Sequence, residues 1–247
     1  MASFTQALID ARRSSRPFVA GTNAPKSRAE AFQVSAEVAA SLKAQVIGWK
    51  AGYSPDKIPT SSPMFLAGLR ESGTQWRLAP AMPLIPEVEI AIRLNRDLPL
   101  RPAKPYTRED ILDATAEIMI GFELIERRLD RTTPPPFFAT LSDDQGNAGF
   151  VVGQSQTIFR QITLSDLQCR FWVDGELNTD RKGGHSMGDP LLPAVDWANG
   201  QDDQLGGLRA GHIITTGSLT PTLQLTAPGR LEGELEALGR VVMDLTL

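Results

Sequence analysis

Four side chains in this sequence have the types and spacing for chemistry with a hard cation: Glu87, Glu89, Glu123 and Lys50. In Pro86-Glu87-Val88-Glu89-Ile90-Ala91-Ile92-Arg93-Leu94 the residue types alternate as in a strand. Val88, Ile90, Ile92 and Leu94 face one way, and Glu87, Glu89, Ala91 and Arg93 the other. Two carboxylates side by side repel, which makes ionisation harder unless a cation sits between them. Alternation alone does not identify a site, because a half-buried strand with a solvated face has the same pattern. Leu231-Glu232-Gly233-Glu234-Leu235-Glu236 alternates equally well and reads as a solvent-facing strand.

Glu123 adds a further constraint. It lies in Ile118-Met119-Ile120-Gly121-Phe122-Glu123-Leu124-Ile125, an apolar run that predicts partial burial, and a buried carboxylate either shifts its pKa or finds a cation. One candidate partner is Arg127 or Arg128; the other is a metal ion shared with Glu87 and Glu89. Oxygen-only ligands favour Mg²⁺, Mn²⁺ or Ca²⁺ over zinc, and Mg²⁺ or Mn²⁺ in an open octahedral site leaves room for waters or a chelating substrate. Lys50 stands between Trp49 and Ala51, with glycines at 48 and 52. It is either a surface lysine with its stem on apolar ground, or a desolvated one with a lowered pKa that moves protons near neutrality.

The elements that must position these groups are legible as patterns. Ser3 caps a helix through about Arg13, Arg16-Pro17 ends it, and the capping box Ser27-Arg28-Ala29-Glu30 opens a second helix to about Ala44. A short strand at Val46 to Tyr53 carries Lys50, and a Pro- and Ser-rich loop follows through Pro63. One helix is expected from Thr107-Arg108-Glu109-Asp110 into Ile111 to Ile118, and another at about Pro190 to Asn199. Strands are predicted at 86–94, 119–126, 149–153, 167–174, 212–216, 222–226, 230–236 and 240–246. Residues 130–147, polar and long for a passive connection, read as a lid or binding loop. The expected class is α+β: residues 1–75 form an N-terminal helical segment contributing Lys50, and 76–247 a β-rich catalytic roll, together one cooperative unit.

Composition narrows the function classes. Charged residues are 22% and hydrophobic ones 41% of 247, as in ordinary globular proteins. A net charge of -4 without a Lys/Arg block points to no nucleic-acid partner and no anionic membrane. The first thirty residues carry Asp10, Arg12 and Arg13 without an apolar core, so a cytoplasmic protein is expected. Cys169, the single cysteine, reads as a core thiol. Gly184-His185-Ser186-Met187-Gly188, followed by Asp196 and His212, matches the chain order of a serine-hydrolase triad. It lacks the apolar strand before and the helix directly after, and reads as a glycine-rich turn. His185 and His212 have no zinc spacing, and no phosphate loop or dinucleotide fingerprint occurs.

Nearly end to end, the chain resembles the hydratase/decarboxylase branch of the fumarylacetoacetate hydrolase superfamily. The segments that carry the resemblance are Ala7-Leu8-Ile9-Asp10-Ala11-Arg12-Arg13, Ile47-Gly48-Trp49-Lys50-Ala51-Gly52, Glu87-Val88-Glu89-Ile90-Ala91 and Phe122-Glu123-Leu124-Ile125-Glu126-Arg127-Arg128. Gly188-Asp189-Pro190-Leu191 and Leu208-Arg209-Ala210-Gly211-His212-Ile213-Ile214-Thr215-Thr216-Gly217-Ser218 continue it. The resemblance implies a mixed β roll of the fumarylacetoacetate-hydrolase type and a homo-oligomer. It places Mg²⁺ or Mn²⁺ on Glu87, Glu89 and Glu123, makes Lys50 the active-site lysine, and puts Gly217 and Ser218 against the substrate. The activity implied is hydration of a small 2-oxo-alkenoate or its dienol. Decarboxylation of a 2-oxo-enedioate and carbon-carbon hydrolysis of an acylpyruvate are rivals within the family, and a non-catalytic metal-binding homologue or partner subunit is one outside it. Two departures stand out. Pro63-Met64-Phe65-Leu66 replaces Pro-Asp-Tyr/Phe-Gly, and Ser142-Asp143-Asp144-Gln145-Gly146 replaces Ala-Asp-Asn-Ala-Ser, so Asp143 or Asp144 is expected to supply the acid that Met64 cannot.

Overall fold

The computed structural model describes residues 3–54 and 56–247; residues 1, 2 and 55, the last in the loop expected after Tyr53, lie outside it. Helices α1 (Phe4–Ser14) and α2 (Arg28–Leu42) open the chain, capped by Ser3 and Ser27, whose side chains accept from Gln6 N–H and Glu30 N–H. Then come β1 (Val46–Tyr53), β2 (Pro59–Phe65), β3 (Leu69–Glu71), β4 (Thr74–Arg77), β5 (Leu84–Leu94), α3 (Arg108–Asp113) and β6 (Thr115–Glu126). The rest of the chain supplies α4 (Phe137–Ser142), β7 (Asn147–Gln156), β8 (Gln168–Val173), β9 (Glu176–Lys182), α5 (Leu192–Asn199), β10 (Ile213–Ser218), β11 (Gly229–Leu235) and β12 (Gly239–Thr246).

Two sheets form, of strand order β2-β1-β10-β5-β6-β7-β3 and β4-β12-β11-β8-β9. They pack face to face because β5, β6, β8, β11 and β12 each turn an apolar side inward: Val88, Ile90, Ile92, Phe122, Leu231, Leu235 and Val241 belong to one buried cluster. Phe122 and Phe171 meet edge to face across the sheets, with centroids 5.7 Å apart. The outer side of β5 carries Glu87, Glu89 and Ala91. On β1, Trp49 packs against Trp197 of α5 at 5.0 Å, so alternation turns Lys50 to the opposite side.

Several boundaries differ from the sequence reading. The helix expected to reach Ile118 stops at Asp113, because β6 begins at Thr115 and pairs with β5 from Leu94↔Thr115 to Leu84↔Glu126; cross-strand pairing overrides the local helical pattern. The loop expected through Pro63 is largely β2, antiparallel to β1. The strand expected at 222–226 is reduced to one bridge, Leu225 to Leu84, on the flank of β5 beyond the end of its ladder with β10. Polar β9 and the short β3 and β4 carried no apolar alternation to find. Within 130–147, the segment read as a lid or binding loop, the chain forms α4 against α2.

Candidate active site

Register brings the acidic groups together. Glu87 of β5 is the direct antiparallel partner of Glu123 of β6, and Glu89 is two residues along the same face, opposite Gly121. Ligand oxygens of the three lie within 4.8 Å of one another; Glu89 and Glu123 are fully buried and Glu87 partly so. Lys50 arrives from β1, one strand beyond β10, with Nζ 2.9 Å from Glu123 Oε1 and 3.9 Å from Glu87 Oε2. Asn147 Nδ2 also donates to Glu123 Oε1, at 2.9 Å. The partner of Glu123 is therefore Lys50, neither Arg127 nor Arg128; Arg128 Nε bonds Asp143 at 2.5 Å.

The electrostatics follow from crowding. Burial raises the pKa of Glu87, with Lys50 opposing; burial and then repulsion from Glu123 and Glu87 push Glu89 well above the usual carboxylate range. For Lys50, burial pulls the pKa down, but Glu123, Glu87 and Glu89 outweigh it and the net shift is upward. This corrects the lowered value expected from desolvation alone: the lysine is buried among anions, and its charged form is held.

Lys50, Glu87 and Glu89 line a cleft of about 470 Å³ that Tyr53, Gln145, His185, Gly217 and Ser218 also border, a volume suited to a small ligand, and Glu123 lies buried behind them. Gly217 N–H donates to Glu89 Oε2 at 2.8 Å, and Ser218 Oγ donates to the Thr220 carbonyl at 2.9 Å. Asp143 and Asp144 do not line the cleft. Asp143 is clamped by Arg128, and Asp144 by Arg12 of α1 at 2.5 Å and Ser35 Oγ at 2.6 Å. Their neighbour Gln145, with φ 53°, reaches the cleft instead, donating to Ser62 Oγ at 3.1 Å. Met64 packs with Ala91, Met119, Phe150 and Ile213 in an apolar cluster.

Sequence reasoning passed over four polar neighbours of the site. His185 was set aside with the hydrolase-like turn, although the turn itself forms. Gln145 and Asn147 lie in the 130–147 segment, where the sequence reading of a lid or binding loop singles out only Asp143 and Asp144. Tyr53 donates to Asp196, an aspartate that the triad pattern would have joined to His212. His212 instead accepts from Arg209 N–H through Nδ1, so no triad assembles among the described residues. The signal for Asn147 was its place at the start of a strand pairing with β6; Gln145 had none, because a left-handed backbone is not legible in a glutamine.

The cradle fits a divalent cation. Glu89 Oε1 and Glu123 Oε2 are buried with no hydrogen-bond partner, and one ammonium faces three carboxylates. Buried anionic oxygens left so are costly, and an all-oxygen donor set suits Mg²⁺, Mn²⁺ or Ca²⁺.

No family model matches the chain. Two curated relatives are 2-keto-4-pentenoate hydratases: one from Burkholderia vietnamiensis (strain G4 / LMG 22486), 33% identical over 156 residues, and one from Paraburkholderia phymatum (strain DSM 17167 / CIP 108236 / LMG 21445 / STM815), 35% identical over 156 residues. Each alignment covers 63% of this chain and 58% of the relative's own length. Among solved structures, 4-oxalocrotonate decarboxylase from Pseudomonas putida G7, complexed with magnesium and adipate, superposes with a TM-score of 0.86 at 18% identity. It covers 98% of this chain and 96% of its own.

Proposed function

We propose that this chain, similar in sequence to pentenoate hydratases and sharing the fumarylacetoacetate-hydrolase-like fold of the decarboxylase, is a metal-dependent hydro-lyase. It would add water to a small 2-oxo-alkenoate or its dienol. The observation that carries the reading is the buried Glu87, Glu89 and Glu123 cradle beside Lys50 at the wall of a small cleft. Mg²⁺ or Mn²⁺ held there would act as a Lewis acid toward a 2-oxo acid. The remaining chemistry belongs to the chain.

Lys50, which borders the cleft with Nζ 2.9 Å from Glu123, would give a proton to the dienol carbon skeleton and take one back on turnover. Asn147 and Gly217 spend their N–H groups on Glu123 and Glu89 and so fix the carboxylates rather than the substrate. Ser218 and Gln145 present polar side chains to the cleft and would orient substrate or water. We read Asp143 and Asp144 as anchors of the segment that carries Gln145, since both are tied up in buried ion pairs. The resemblance also supports a cytoplasmic homo-oligomer, which light scattering of the purified protein would check for assembly.

The test is a proton NMR time course of 2-hydroxypenta-2,4-dienoate with enzyme and Mg²⁺ or Mn²⁺, beside a chelator control. Metal-dependent formation of 4-hydroxy-2-oxopentanoate is expected. Ketonisation without hydration would overturn the hydratase reading in favour of the decarboxylase or hydrolase rivals, and inertness toward all three substrate classes would favour a non-catalytic homologue.

A further inference from the structure

Both ring nitrogens of His185 are engaged by backbone. Nε2 lies 2.7 Å from the Thr216 carbonyl oxygen, which can only accept, so Nε2 carries the proton; Nδ1 accepts from Met187 N–H at 3.3 Å. The Thr216–Gly217 peptide that receives the first bond gives its own N–H to Glu89 Oε2 at 2.8 Å. A single rigid peptide plane therefore stands between the imidazole and a cradle carboxylate.

That peptide is held from several sides and has little alternative. It falls where the β10–β5 register shifts between Thr215 and Ser218, outside the regular ladder. Thr216 Oγ1 donates to the Ile90 carbonyl at 2.9 Å. Gly217 has φ +113°, and a Cβ there would meet His185 Nε2 at 3.0 Å, so backbone and ring are in close approach. His185 is buried at 7% exposure, with no ring nitrogen left to exchange a proton with the cleft.

We propose that His185 is a positioning residue for Glu89. By holding the Thr216–Gly217 peptide it aims the Gly217 N–H that orients one oxygen of Glu89, leaving the partnerless Oε1 directed at a cation. The Gly-His-Ser-Met-Gly turn is then a clamp on the cradle rather than a nucleophile's support. This rests on reading Glu87, Glu89 and Glu123 as a divalent-cation cradle. Partners that orient metal ligands typically change affinity by about 10–100-fold when removed.

The experiment is calorimetric titration of Mn²⁺ into the chelator-treated full chain at one fixed pH, for wild type, His185→Ala and His185→Gln. A glutamine amide can donate to the Thr216 carbonyl in place of Nε2. His185→Ala is expected to weaken Mn²⁺ binding about 10-fold or more, and His185→Gln to recover most of the loss. If His185→Ala does not fold, His185→Asn, too short to reach the carbonyl, takes its place in the comparison. Equal affinity in wild type and the truncated variant overturns the proposal, as does an equal loss in His185→Gln. Absence of Mn²⁺ binding by wild type instead overturns the cradle reading beneath it, and the proposal falls with that reading.

Discussion

At the scale of single residues, the site is a problem in charge balance. Three carboxylates and one ammonium share a buried face, and removing the ammonium leaves the anions uncompensated. Lys50→Met is expected to lower kcat by about 10²–10⁴-fold, the usual range for a proton-moving group. It should also destabilise the chelator-treated protein by about 3–5 kcal/mol, read from urea unfolding. Turnover and chelated stability equal to wild type would show that Lys50 neither moves protons nor balances the cradle. Glu87, Glu89, Glu123 and Lys50 were all legible as candidates, because acidic residues inside apolar runs are conspicuous. Their mutual geometry was not, because a pairing register between strands separated by a helix and a loop leaves no mark on either strand alone. The sign of the Lys50 shift was missed for the same reason: desolvation is visible in the apolar neighbours, the opposing anions are not.

At the scale of elements, β2 decides what can replace the acid expected near Met64. Met64 is 1% exposed within an apolar cluster drawn from β5, β6, β7 and β10 as well as β2. Met64→Asp is therefore expected to cost about 3–5 kcal/mol as an unpaired buried charge and to leave turnover per folded molecule no higher. A gain in kcat would show that this position faces the cleft after all. The α1–α2 pair holds Asp144, the neighbour of cleft-bordering Gln145, through Arg12 and Ser35. Burial, opposed by Arg12 and Ser35, raises its carboxyl from the ordinary 3.8 to about 6. The folded state then holds the proton more tightly than the unfolded one. Its contribution to stability is full below pH 3.8 and is lost as the pH rises through 6. Relative to Asp144→Asn, wild-type unfolding free energy should fall by on the order of 3 kcal/mol across that window, at 1.36 kcal/mol per pKa unit. Parallel pH curves for the two proteins would refute this. The helices were legible from caps and stripes, as was the β-rich remainder. β2 was hidden because its prolines and serines are poor strand formers, and the first residues of β6, before the strand predicted at 119–126, because they continue the helical pattern of α3.

At the scale of the whole molecule, the cradle links stability to the ion. A divalent cation at about 100 times its Kd adds roughly 2.7 kcal/mol, which in a chain of this size is a rise of about 5–10 °C in Tm. Scanning calorimetry of wild type with and without Mg²⁺ is expected to show that rise. Glu89→Gln removes one mutually repelling buried charge. It should melt above wild type in chelator and lose the Mg²⁺ response, so that stability and function pull in opposite directions at one residue. A Mg²⁺ response retained in full by the variant would remove Glu89 from the cradle.

The strand order also fixes a sequence of assembly. β10 runs parallel to β1 on one side and antiparallel to β5 on the other, although both of those strands are synthesised long before it. Until the last fifth of the chain has emerged, β1 and β5 each present an unpaired edge at what will become the centre of the sheet. Contacts of such long range close slowly, and open edges invite pairing with the wrong chain. The cleft is thus a late product of folding: the lysine cannot meet its three carboxylates until a strand made after all of them has slipped into place.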